Sequence, residues 1–346
     1  MAWARRNLFS SWSNSILTLL CLYILYISIV PLVNWALLDA TFTGTSKEDC
    51  APGGACWAVV DARFSQYVYG LYPIEFRWRI NLAFILLLVA MVPFFLRQVE
   101  NKLTYAIGLL IFYPIVAYIL FHGGVFGLRV VETARWGGLF LTLVIAGVGI
   151  TASLPLGVIL ALGRRSDLPI IKGISVTFIE LVRGVPLVTI LFMASVMIPL
   201  FLPEGLTFDK LLRALIGVAL FASAYMAEVI RGGLQAIPKG QFEAAGSMGL
   251  GYWQMMWHIV LPQALRMVIP GIVNTFIGLF KDTSLVIIIG LYDLLGIARL
   301  ITRDPQWLGL AAESYIAAAF GFWIFCFAMS RYSIGLERRL NADKSH

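Results

Sequence analysis

The sequence predicts an all-α polytopic membrane protein with about eight transmembrane helices, and three observations carry that expectation. Charged residues make up only 13% of the 346-residue chain and apolar ones 60%, whereas a soluble globular domain carries roughly 25% charge. Charge-free stretches cover residues 7–38, 80–96, 103–128, 136–163, 184–203 and 314–330, and about 20 apolar helical residues are enough to cross a ~30 Å hydrocarbon core. Three His and four Cys are too scattered to frame a soluble metal or redox domain.

The elements follow in chain order. Arg5 and Arg6 precede an apolar run from Ile16 to Leu38; an export signal's apolar core is only about 7–15 residues long, so the run is expected to stay as the first helix. A long outer loop, about 39–79, holds Cys50 and Cys56 around Pro52, Gly53 and Gly54. An oxidising outer compartment permits a disulfide there; the alternative is two free thiols in a flexible loop. The next charge-free stretches give helices two to five. Two further crossings are read through polar interruptions: Leu211 to Leu234, with Glu228 and Arg231, and Arg266 to Leu295, with Lys281 and Asp282. Residues 314–330 make the eighth. Ala244 to Leu265 has no formal charge, yet Gly246, Ser247, Gly249, Gly251, Gln254, His258, Pro262 and Gln263 make it too polar and broken to span. Trp12, Trp35, Trp78, Trp136, Trp307 and Trp323 fall near predicted helix ends, where aromatic belts are expected rather than a binding cage.

Eight crossings put both termini on one side. With the termini inside, the inner segments hold fifteen basic and six acidic residues, and the outer ones ten of each. That imbalance is the positive-inside pattern. The net charge of +7 thus reflects topology and membrane lipid, and calls for no nucleic-acid partner.

After the sixth helix comes Ile237-Pro238-Lys239-Gly240-Gln241-Phe242-Glu243-Ala244-Ala245-Gly246-Ser247-Met248-Gly249, then nine residues, then Ile259-Val260-Leu261-Pro262. Pro238 can open a helix and Gly249 can close one. The pattern predicts a short cytoplasmic helix, a turn at Gly249 to Gly251, and a second helix from Tyr252 to Ile259 stopped by Pro262. Phe242, Ala245 and Met248 or Gly249 share one face, which would present an apolar knob beside Glu243 to a groove on a partner protein. A helix lying on lipid headgroups would carry Lys and Arg, and between Gln241 and Leu265 the only basic residue is His258.

This spacing, Glu-Ala-Ala, three residues, Gly, nine residues, Ile-x-Leu-Pro, resembles the EAA loop of ABC-importer permease subunits. Gly138 to Leu143, Glu180 to Leu187, Ala227 to Gly233 and Lys281 to Val286 resemble the permeases for polar amino acids within that family. The resemblance covers about Trp136 to Leu340. It implies a type I ABC-importer permease core at 136–340 with its coupling loop at 238–262, a cytoplasmic tail at 341–346, and an N-terminal extension at 1–135. The extension, three extra helices and the outer loop, is similar to that of the larger permease subunits of general L-amino-acid uptake systems in Gram-negative bacteria.

The resemblance further implies an inner-membrane importer of L-amino acids, polar or broad in range, built with a second permease chain, a cytoplasmic ABC ATPase dimer and a periplasmic amino-acid-binding protein. Gln241, Phe242, Glu243, Ala244, Ala245, Met248 and Gly249 would couple to the ATPase. The chain has no G-x-x-x-x-G-K-[ST] phosphate loop, so this chain is expected to bind no cofactor; ATP and Mg belong to the partner.

Ionisable residues at membrane depth are costly and face a cavity or a partner. Asn274, Gly278 and Lys281 recur at i, i+4, i+7 on the seventh helix, with Asp282, Thr283 and Ser284 continuing it. Such a stripe suits a path for a zwitterion, with Lys281 toward the carboxylate and Asp282 or Glu228 toward the ammonium group. The alternative, that Lys281, Asp282, Glu228 and Arg231 only pair with one another, satisfies burial equally well. An ion-coupled secondary transporter is the rival class, but it leaves the EAA loop unexplained. A membrane enzyme would need a converging nucleophile, base or metal cluster, and neither HExxH nor GxSxG occurs.

Overall fold

The computed structural model describes residues 2–96, 101–201, 203 and 208–342. Arg97 and Lys344, two of the cations assigned to the inner side, lie outside the described residues, as does most of the predicted tail. Seven helices among the described residues are long and apolar enough to cross a membrane, and a bent helix pair brings the number to eight.

The chain divides into two compact units, Met1–Ser65 with Ala298–Ala317, and Gln66–Ile297 with Ala318–His346. The division at 135 is one of sequence resemblance; packing groups the segment 298–317 with the first 65 residues.

In the first unit, α1 (Trp12–Val33) starts where the Ser11 hydroxyl accepts the Asn14 N–H at 3.2 Å. It continues past Pro31 as a π-helical turn, Asn34–Leu38. None of its residues is buried within the chain, as expected of a helix that is apolar all round and solvated by lipid. The outer loop is ordered by a Cys50–Cys56 disulfide with Cα atoms 5.6 Å apart. Beside it Ala55, Cys56, Ala58 and Val59 are buried, the last two opening α2 (Ala58–Tyr69). Three contacts tie the loop to residues distant in sequence. The Cys56 N–H donates to Glu313 Oε1 at 3.1 Å, Arg63 pairs with Asp304, and the Trp57 indole N–H donates to the Ala36 carbonyl at 2.7 Å. Asp49 accepts N–H bonds from Thr45 and Ser46. Those bonds hold its carboxyl below the usual carboxylate range.

In the second unit, α3 (Arg77–Phe95) and α4 (Lys102–His122) form a pair. The packing centre is α5 (Gly138–Arg164) against the helix Lys210–Ala236. Small residues let the two backbones approach, as expected where no hydrophobic effect drives helices together; a Cβ at Gly157 would lie 2.6 Å from Met226 Cγ. Between them run α6 (Pro169–Gly184) and α7 (Leu187–Phe192), the latter extended by a π turn and Ile198–Leu200. The α6–α7 axis bends by 103°. Val185, forced out of the helical region by Pro186, takes φ −114 and ψ 134 there. Residues Lys210–Ala236 are α8; Asp209 caps its start by accepting the Leu212 N–H at 3.0 Å.

The chain then forms α9 (Lys239–Ser247), α10 (Tyr252–Met255), α11 (Leu261–Met267) and α12 (Ile269–Asp282), followed by a 3-10 run, Thr283–Ile289. The expected stop at Pro262 does not occur. A π-helical turn, Met256–Val260, precedes it and Pro262 sits in the first turn of α11, where its missing N–H has no helical partner to lose. Two last helices, α13 (Leu294–Ile301) and α14 (Ala311–Ala342), complete the chain.

Candidate functional site

The α9 helix leaves α8 through Ile237 and Pro238, both extended at φ −73, ψ 124 and φ −59, ψ 141. It closes where Leu250 N–H reaches the Ala245 carbonyl at 3.2 Å. That six-residue closure needs a left-handed residue inside it, and Gly249 supplies φ +74. The orientation of α9 corrects the expected apolar knob. Ala245 is buried, and Phe242 packs on a core that includes Ala161, Ile179, Ile230 and Met256, because these apolar groups find their partners on the chain's own helices. Turned outward instead are Gln241, Glu243, Ala244, Met248 and Gly249, with Met248 at 74% exposure. Next to them Tyr252, Trp253 and Trp257 are exposed. These aromatics escaped the sequence reading, although Trp253 and Trp257 have the i, i+4 spacing of a shared helix face. Gln263 Nε2 donates to Gln241 Oε1 at 3.1 Å and ties α9 to α11.

Above this loop Glu228 is shared among arginines from three helices. One oxygen lies 2.9 Å from Arg164 Nη1 as an ion pair without hydrogen-bond geometry. The other accepts from Arg231 Nη2 at 2.8 Å and lies 3.5 Å from Arg183 Nη1. Arg164 also pairs with Glu180 at 2.8 Å. Of the two roles open for the membrane charges, Glu228 and Arg231 do pair. Among the described residues no ion pair joins either to Lys281 or Asp282.

The seventh-helix stripe is differently placed. Asn274 and Lys281 are exposed on α12, and a Cβ added at Gly278 would meet nothing within 4 Å. Asp282 and Ser284 are half-buried, while Thr283 is buried and its hydroxyl donates to the Phe280 carbonyl at 2.8 Å. The stripe therefore opens away from the chain's own packed core.

Beyond the end of that run, Asp293 is fully buried. Its Oδ1 accepts the Gly296 N–H at 2.8 Å, while Oδ2 has no partner among the described residues. Burial pushes its pKa up to about 6, against the opposing pull of the Gly296, Leu295 and Asp293 N–H groups.

The profile of the binding-protein-dependent transport system inner membrane components matches residues 153–342. The chain is 56% identical over 345 residues to the inner membrane amino-acid ABC transporter permease protein YhdY of Escherichia coli (strain K12), covering 100% of this chain and 94% of that one. It is 40% identical over 410 residues to the glutamate/glutamine/aspartate/asparagine transport system permease protein BztC of Rhodobacter capsulatus, covering 99% and 94%. Both likenesses run through the N-terminal 135 residues. Among solved structures, the crystal structure of an amino acid ABC transporter with histidines matches with a TM-score of 0.52 and 30% identity, covering 58% of this chain and 92% of that one.

Proposed function

The chain belongs to the binding-protein-dependent transport system inner membrane components as an amino-acid ABC transporter permease of the inner membrane, and from that premise we propose that it forms part of the translocation path for polar L-amino acids, driven by a separate ATPase. The observation that carries this reading is the outward face of α9. Glu243, Ala244 and Met248 stand exposed on a helix whose opposite side, Phe242 and Ala245, is packed into the ends of the membrane helices. A rigid helix fixed on one side and bare on the other is suited to a groove on a partner. Glu243 pairs there with a basic group of the ATPase, and the exposed Tyr252, Trp253 and Trp257 widen the contact.

The substrates are proposed to include acidic amino acids and their amides, since a full-length relative is named for glutamate, glutamine, aspartate and asparagine. Lys281, exposed on the open α12 stripe, meets the substrate carboxylate, and Asp282 its ammonium group. The partners are an ATPase dimer, a periplasmic amino-acid-binding protein and a second, related permease whose surface faces the stripe. Both termini lie in the cytoplasm.

Affinity purification of the tagged chain from its own membranes tests the reading. The wild type brings a phosphate-loop ATPase and a second permease with it, and Glu243→Arg lowers ATPase recovery while leaving the chain in the membrane. Recovery of the chain alone in both cases defeats the proposal.

A further inference from the structure

We propose that Arg165 is a positioning residue that locks α9 to the membrane helices, so that a push on α9 moves α5, α6 and α8 as one body; this rests on α9 being the surface that the ATPase moves. The covalent link from α8 to α9 is only Ile237 and Pro238, both extended. Pro238 fixes its own φ and holds Ile237 extended, which leaves the ψ of Pro238 as the torsion about which α9 could swing. A hinge alone lets α9 swing without displacing α8. Force passes to the membrane helices only if α9 is also held from the side.

The packing of Phe242 and Ala245 and the Gln263–Gln241 bond hold it in part, and Arg165 adds a charged tie that reaches α5, α8 and α9 together. Arg165 is the C-cap of α5, and its Nη1 donates at 2.8 Å to the carbonyl of Leu234, one of the last-turn carbonyls of α8 that have no helical donor. Its guanidinium carbon lies 5.6 Å from the centre of the Phe242 ring, within the range of a cation–π contact. One side chain thus touches the end of α5, the end of α8 and the buried side of α9. The neighbouring Arg164 extends the tie through Glu180 and Glu228 to α6 and, with Arg183 and Arg231, around the same helix ends. An apolar residue at position 165 serves neither contact, because the Leu234 carbonyl needs a donor and the Phe242 face a cation.

The test uses the transporter purified with its partners and reconstituted in vesicles with ATP inside. It reads labelled amino-acid uptake, ATP hydrolysis and the half-saturating amino-acid concentration. Arg165→Ala is expected to lower uptake per ATP by about tenfold, from loss of a charged hydrogen bond and a cation–π contact, with half-saturation unchanged. Arg165→Lys restores part of the ratio, since an ammonium group still reaches the carbonyl but does not stack as a plane. Phe242→Leu approaches the hold from the other side and gives the same loss, and the double variant is no worse than either single one. A wild-type ratio in Arg165→Ala, or losses that multiply in the double variant, overturns the lock. Equal falls in assembly and in all three readouts, without recovery in Arg165→Lys, would show a purely structural role and overturn it as well. If wild-type vesicles take up no amino acid on ATP hydrolysis, the importer reading itself fails.

Discussion

Asp293 is an acid that folding does not favour in its charged form. Its pKa rises from the ordinary 3.8 to about 6 because burial outweighs three backbone N–H groups, those of Gly296, Leu295 and Asp293 itself. The folded state therefore holds the proton more tightly than the unfolded one, and stability from this group is complete below about pH 4 and declines as pH rises through about 6. The decline amounts to roughly 3 kcal/mol at 1.36 kcal/mol per unit. Thermal unfolding of purified protein between pH 4.5 and 7.5 should show it as a falling midpoint in the wild type and a flatter profile in Asp293→Asn; equal slopes in the two would refute it. Nothing local marks this residue as buried in sequence, since Gly138 and Thr142 meet its segment from far earlier in the chain. Gly249 is the opposite case. Its positive φ follows from its position at the end of a short helix, where only glycine turns left-handed without strain.

At the scale of elements, hydropathy marked every crossing because lipid imposes length and apolarity on each helix separately. The charge-free windows fall on the helices, and Gly184 with Pro186 sits at the 103° bend. Side-chain partners were not legible in the same way. Glu228 reads equally as a path residue or a structural one until α5 and α6 bring Arg164 and Arg183 to it. Phe242 looks like a partner-facing knob until the core behind it is present. With its side chain 14% exposed, Glu228 pairs with three arginines on three helices. Removing the shared acid takes the carboxylate partner from Arg183 and Arg231 and leaves Arg164 with Glu180. Glu228→Gln should therefore cost about 3 kcal/mol, while Arg183→Gln, whose partner lies at 3.5 Å and whose side chain is 36% exposed, should cost less than ~1 kcal/mol. Unfolding midpoints of the two variants in one detergent decide this, and a Glu228→Gln protein as stable as Arg183→Gln would show that the cluster contributes little.

For the whole molecule, two facts have different reach. Fold class and family were open to sequence, since apolar windows and the Glu243-Ala244-Ala245 spacing are local patterns. The grouping of residues 298–317 with 1–65 was not, because it rests on contacts such as Arg63 with Asp304 and Cys56 with Glu313 that no local pattern encodes. The direction of the chain across the membrane is a prediction from charge distribution. Fifteen cations against six acids on the segments read as inner, and ten against ten on those read as outer, predict that the outer loop lies in the periplasm and the α5–α6 turn in the cytoplasm. Glu48 and Asp167 are exposed, one in each segment. In a background with all four native cysteines replaced, Glu48→Cys should react with a membrane-impermeant maleimide in cells whose outer membrane alone is opened. Asp167→Cys should react only after the inner membrane is breached. The reverse pattern would put the termini and the α9 face outside, where no cytoplasmic ATPase could reach Glu243, so orientation and the coupling surface stand or fall on the same labelling.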